Sequence, residues 1–245
     1  MRHFRVRIAC AAILPVMLQI SMAHAGSVID NIRFANEITW PLGEPDTTNM
    51  GQTFKTPNAT DTTLKNFTFV LQRRLGVTNY RPYVYEWVEE LGGHITGEAI
   101  FAGGIGTVPE GQGFQRITIR TDGISLSSEK SYVAFFSTAG LFDGKPDETT
   151  WKVVSDGFDY GDGYFVFHNS RGELPSPSTR WECGVDCTYT DLAFRMTFIA
   201  APVPEPGNLT LMLSGVVALV GTLRARRQSQ QRIPLLPTRH EQNDC

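Results

Sequence analysis

The chain has 245 residues, 41% of them hydrophobic and 19% charged, which is enough apolar material for a folded core and excludes general disorder. Its net charge of −3 hides an uneven distribution: residues 26–206 carry 14 Lys and Arg against 23 Asp and Glu, while both ends are basic. An acidic body offers no clustered cations to phosphates, so nucleic acid is not an expected partner.

At the N-terminus, Arg2, Arg5 and Arg7 precede an apolar stretch over residues 8–20 and then Ala23-His24-Ala25. A basic head, a short apolar run and small side chains at Ala23 and Ala25 are the three parts of a secretory signal peptide. Residues 1–25 are therefore expected to be cut off by signal peptidase, leaving a mature chain that starts at Gly26. Cys10 has Arg7 three residues before it, which is unsuited to lipidation.

Residues 26–200 read as one all-β domain, a β-sandwich, because their apolar residues recur with period two and no segment holds a long amphipathic helix. Phe67, Phe69 and Leu71 share one face of residues 64–71. Tyr83, Tyr85 and Trp87 alternate with Val84 and Glu86, and Ile117 and Ile119 with Arg116, Thr118 and Arg120. Residues 131–137 are apolar on both faces and predict a central strand of two packed sheets. In residues 191–199, Leu192, Phe194, Met196 and Phe198 point one way and Ala193, Arg195 and Thr197 the other. Turn signals such as Gly92-Gly93, Gly103-Gly104, Asp122-Gly123 and Asp143-Gly144 separate these runs.

After the body comes a proline-bounded apolar run closed by basic residues. Residues 207–223 number 17, about 26 Å as a helix against a hydrocarbon core of about 30 Å, and predict a marginal transmembrane span. Arg224, Arg226 and Arg227 place its far end on the cytoplasmic side and the body outside, in agreement with the N-terminal signal. Pro204 and Pro206 hold the backbone around Glu205 extended and stop the following helix from growing backward. Val203-Pro204-Glu205-Pro206, the apolar helix and the arginine cluster together resemble the PEP-CTERM sorting signal of exported bacterial proteins. The resemblance covers residues 203–227, within a sorting region assigned to residues 201–227, and a polar tail, residues 228–245, extends past the point where that signal usually ends. It implies recognition by an exosortase-type membrane protease in a Gram-negative cell that makes exopolysaccharide, with passage through the inner membrane to the cell surface or extracellular matrix. Within the body, Gly51-Gln52-Thr53-Phe54, Tyr85-Glu86-Trp87 and Asp191-Leu192-Ala193-Phe194 are similar to the jelly-roll domains of such proteins. That likeness implies a jelly-roll-like sandwich, a fold shared with many carbohydrate-binding modules.

Chemistry-bearing residues are few. In an oxidising compartment Cys183 and Cys187 are expected to form a small disulfide, since a metal site would need two further ligands. His94 and His168 are the only imidazoles in the body, and no nucleophile elbow, zinc-protease motif or phosphate loop accompanies them. Asp156, Asp159 and Asp162 recur every third residue in a glycine-rich loop; they are candidate calcium ligands, or turn residues that bond their own backbone, and no other cofactor is expected. Trp87, Trp151, Trp181 and Tyr160 are candidate platforms for sugar rings, or simply the core of a sandwich. Glu86, Glu89 and Glu90 are the carboxylates a glycosidase would use, with Glu86 and Glu90 on one face if the strand runs that far. The expected function is a non-enzymatic, exported surface or matrix protein that binds extracellular polysaccharide. The alternatives are a secreted glycosidase or lyase and a permanently membrane-anchored structural protein.

Overall fold

The computed structural model describes residues 26–45, 47–90, 93–155, 160–170, 172–177, 179–183 and 190–201. The signal peptide with Ala23 and Ala25, the sorting region with Val203, Pro204, Glu205, Pro206, Arg224, Arg226 and Arg227, the tail, and also Asp156, Asp159 and Cys187 lie outside them. Among the described residues no helix is long and apolar enough to cross a membrane.

The described body is all-β and consists of two seven-stranded antiparallel sheets. The first holds β1 (Val28–Asp30), β2 (Glu37–Ile38), β4 (Thr63–Leu75), β8 (Gln115–Ser125), β10 (Glu148–Val154), β13 (Asp191–Leu192) and β14 (Phe194–Ile199). The second holds β3 (Asn49–Phe54), β5 (Asn79–Val88), β6 (His94–Ala102), β7 (Gly106–Thr107), β9 (Ser131–Ser137), β11 (Phe165–His168) and β12 (Glu182–Cys183). The alternation read from the sequence becomes the core between them. Phe67, Phe69 and Leu71 of β4 and Phe194, Met196 and Phe198 of β14 are fully buried, facing Phe54, Val84 and Phe136 of the second sheet. Such a face cannot stay in water, because each large apolar side chain gains roughly 1.5–3 kcal/mol on burial.

β9 is the central strand its two apolar faces predict, paired with β3 on one side and β5 on the other. Ala134 and Phe136 enter the inter-sheet core, whereas Val133 and Phe135 belong to a second cluster with Tyr85, Trp87, Ile95, Val166 and Trp181. This cluster sits on the outer face of the second sheet, where Leu174 and Trp181 cover it.

In the first sheet β4 pairs with β14 through Phe69 and with β10 from Leu71 onward, so the chain forks between β13, which pairs with β10, and β14, which pairs with β4. Asn31, fully buried, closes the fork: its amide donates to the Leu192 carbonyl at 2.9 Å and accepts the Phe194 N–H at 2.7 Å. The two ends of the body meet at one pole. β1 lies beside β14, Phe198 N–H donates to the Ser27 carbonyl, and Ala201 N–H donates to Thr60. The compact unit that contains the sandwich ends at Ala201.

Candidate functional site

The site is built at the opposite pole, where β4 ends at Leu75 opposite Glu148. The 13 residues of β4 separate the poles by up to roughly 40 Å. Beyond β2, Leu42 bridges Thr149 of β10, and the chain then turns back through Gly43, whose N–H donates to the Thr47 carbonyl. Gly43 has φ +139°, and a Cβ there would meet the Asp147 carboxylate at 1.9 Å, so the turn needs glycine. Asp147 Oδ1 accepts the Glu44 N–H at 3.2 Å and the Thr78 hydroxyl at 3.1 Å. Burial raises the Asp147 carboxyl above its ordinary range, against the lowering effect of those two hydrogen bonds, with the Glu44 and Asp143 charges adding to the rise. Glu44 Oε2 in turn accepts the N–H groups of Asp143 and Gly144, both at 3.1 Å. The two loops are thereby tied into one frame.

A cleft of about 910 Å³ opens in this frame, near the top of the roughly 300–1,000 Å³ that small-molecule sites occupy. One wall is Trp40, Pro41, Glu44, Pro45 and Thr47; the other is Phe142, Phe167, Asn169 and Glu182. Trp40 is 70% exposed, more than any other large apolar side chain among the described residues. Pairing of β11 with β12 sets Glu182 directly opposite Phe167, and the strand period therefore turns Glu182 to the cleft and its neighbour Trp181 to the outer cluster. The far wall is fixed from beneath. Asn49, fully buried, donates through its amide to the Ser170 hydroxyl at 3.0 Å and the Glu173 carbonyl at 3.3 Å, and Gly172 N–H donates to Thr48 Oγ1 at 2.9 Å.

The structure corrects the tryptophan and tyrosine platform expected from sequence. Trp151 is 0% exposed, packed on Phe69 and Phe136 in the inter-sheet core. Trp87 at 3% and Trp181 at 1% meet edge to face at 5.9 Å in the outer cluster. Tyr160 stands with its ring against Phe194 and its hydroxyl donating to the Lys55 carbonyl, and burial raises its pKa. The three tryptophans are buried, Trp151 between the sheets and Trp87 and Trp181 in the outer cluster, so none presents a face to a ligand, while Tyr160 is half-buried with one side of its ring on Phe194.

Glu86 pairs with Lys130 at 2.6 Å, and Glu89 accepts the Tyr164 hydroxyl. β5 stops at Val88, so Glu90 lies beyond the strand and the shared face with Glu86 is not formed. Asp162 is an exposed partner of Lys55 at 3.8 Å. Among the described residues no group of three or more His, Cys, Asp or Glu could hold a metal ion. Cys183 is disulfide-bonded. His94 is not in the turn but opens β6 opposite Val88, with its Nδ1 3.3 Å from the Glu90 carbonyl. His168 is half-buried beside Trp181, and burial lowers its pKa against the opposing pull of Glu182.

Sequence reasoning missed Trp40. The available signal is its setting in Ile38-Thr39-Trp40-Pro41-Leu42-Gly43-Glu44-Pro45, where prolines interrupt any period and leave no second strand face to bury the ring. Comparison with models of known protein families, with curated proteins and with solved structures finds no match.

Proposed function

We propose that this chain is a non-enzymatic, exported surface or matrix protein whose sandwich binds polysaccharide in the Trp40 cleft. Its N-terminal signal and its PEP-CTERM-like tail would direct export and sorting by an exosortase-type protease, and the jelly-roll character of the sandwich belongs to the same reading. The observation that carries it is Trp40, a large aromatic ring left 70% exposed at the mouth of a cleft that also offers carboxylates and an amide. A sugar ring presents an apolar face to such an indole and hydroxyls to such polar groups. The carboxylates that the sequence offered for a glycosidase lie outside the cleft, Glu86 paired with Lys130 and Glu89 accepting the Tyr164 hydroxyl; of the cleft's own two, Glu44 is taken up by the Asp143 and Gly144 N–H groups.

The test is glycan-array binding by the exported protein and by Trp40→Ala. Because the ring is mostly in water, its removal is expected to lower stability by no more than about 0.5 kcal/mol while abolishing glycan binding. Retained binding in Trp40→Ala, or sugar turnover by the wild-type protein, would refute the reading. Intact mass of the exported chain checks the sorting half: an end near Glu205 means processing, and a full tail means a permanent anchor.

A further inference from the structure

Resting on the saccharide reading of the cleft, we infer that its ligand is an amine-bearing polysaccharide, a chain of hexosamine units whose amino groups are free and protonated. Two features lead there. The described residues lining the cleft include two carboxylates, Glu44 and Glu182, one on each wall, and none of them carries positive charge. Among the described cations, Lys145 pairs with Asp143 at 3.6 Å, Lys152 lies over the Phe114 ring at 4.7 Å, and Arg180, exposed two residues before Glu182, is not among the lining residues. Asp147, which accepts the Glu44 N–H, adds negative charge behind Glu44 once ionised.

Coulomb forces therefore favour a cation in the cleft and oppose uronate or sulfate groups. Trp40 strengthens the same preference. An exposed indole stacks against the apolar face of any pyranose, and its negative ring face also attracts an ammonium group, most strongly of the aromatic side chains. The fold keeps the carboxylates in place for this role. Glu44 is held by two backbone N–H groups on one oxygen, and Glu182 is fixed by the β11–β12 pairing. A neutral glycan would use the ring and donate hydroxyls to the carboxylates without balancing their charge; an acidic one would be repelled.

The experiment is calorimetric titration of the exported protein with three probes of equal length: a glucosamine oligomer, its N-acetylated counterpart, and an oligouronate. With two carboxylates contributing modest surface attractions, the amine-bearing oligomer is expected to bind about tenfold more tightly than the acetylated one at low salt. Screening should shrink that ratio severalfold between low salt and about 0.5 M salt. Glu44→Gln and Glu182→Gln should each reduce the ratio, and Trp40→Ala should abolish binding of both oligomers. Equal affinity for the free and acetylated oligomers, or preference for the oligouronate, would overturn the amine assignment and leave the saccharide reading standing. Absence of binding to all three probes would overturn both.

Discussion

Replacing Asn31 by alanine removes one amide that serves two strands. The side chain is fully buried where the chain passes from β13 on β10 to β14 on β4, and it supplies a donor to Leu192 and an acceptor to Phe194, both residues themselves 0% exposed. Each lost hydrogen bond costs about 1 kcal/mol net, and leaving the carbonyl and the N–H dry adds a desolvation penalty, for a total of about 2–4 kcal/mol. In a body of this size that is a fall of about 5–15 °C in Tm. Guanidinium unfolding of the purified protein should show the lower midpoint with an unchanged slope. Asn31→Asp adds a sign. Above the pKa of the new carboxyl group, a carboxylate oxygen would face the Leu192 carbonyl, so the cost should at least equal that of alanine. Burial against a carbonyl raises that pKa in the folded state, so the stabilising form is the protonated one. Its contribution is complete below the unfolded value of about 3.9 and is lost as pH rises through the folded value. An alanine cost under about 0.5 kcal/mol, or an aspartate variant indifferent to pH, would refute the role given to this amide.

Trp151→Ala should cost about 3–5 kcal/mol, measured by chemical denaturation, because it empties the inter-sheet core without touching the cleft. Asp147→Asn keeps the oxygen that Thr78 and Glu44 N–H bond while removing a charge that burial disfavours. With the folded pKa raised, the native carboxyl opposes folding once ionised, so the variant should be the more stable at neutral pH and lose its advantage as pH falls through that pKa; melting curves across pH 3–8 check this. Reduction of the Cys183 disulfide should loosen the segment that lays Trp181 on the outer cluster, read as increased quenching of tryptophan fluorescence by acrylamide with the β-sheet circular dichroism retained.

Strand periodicity carried most of the architecture. Leu192, Phe194, Met196 and Phe198 are all buried as their alternation requires, and the doubly apolar β9 is central. The second aromatic layer was harder to foresee. Tyr83, Tyr85 and Trp87 form one face of β5, but nothing local says whether that face meets water, the other sheet or a returning loop. Trp181 and Trp40 illustrate the limit, since both sit in irregular, turn-rich sequence. One is buried because an uncovered sheet face lies beneath it, the other exposed because the proline-flanked edge has none, and that difference arises only when distant segments meet. The cleft itself is assembled from Trp40, Pro41, Glu44, Pro45, Thr47, Phe142, Phe167, Asn169 and Glu182, a set no spacing rule connects.

Side-by-side placement of β1 and β14 also has a mechanical outcome. A pull between Ala201 and a partner gripped beside Trp40 runs along the length of β14 and β4 rather than across them. The inter-strand hydrogen bonds lie perpendicular to the strands, so such a load shears them together instead of peeling them one by one. A body loaded in this way resists tension along its strands, the direction a surface attachment of the kind proposed above would impose.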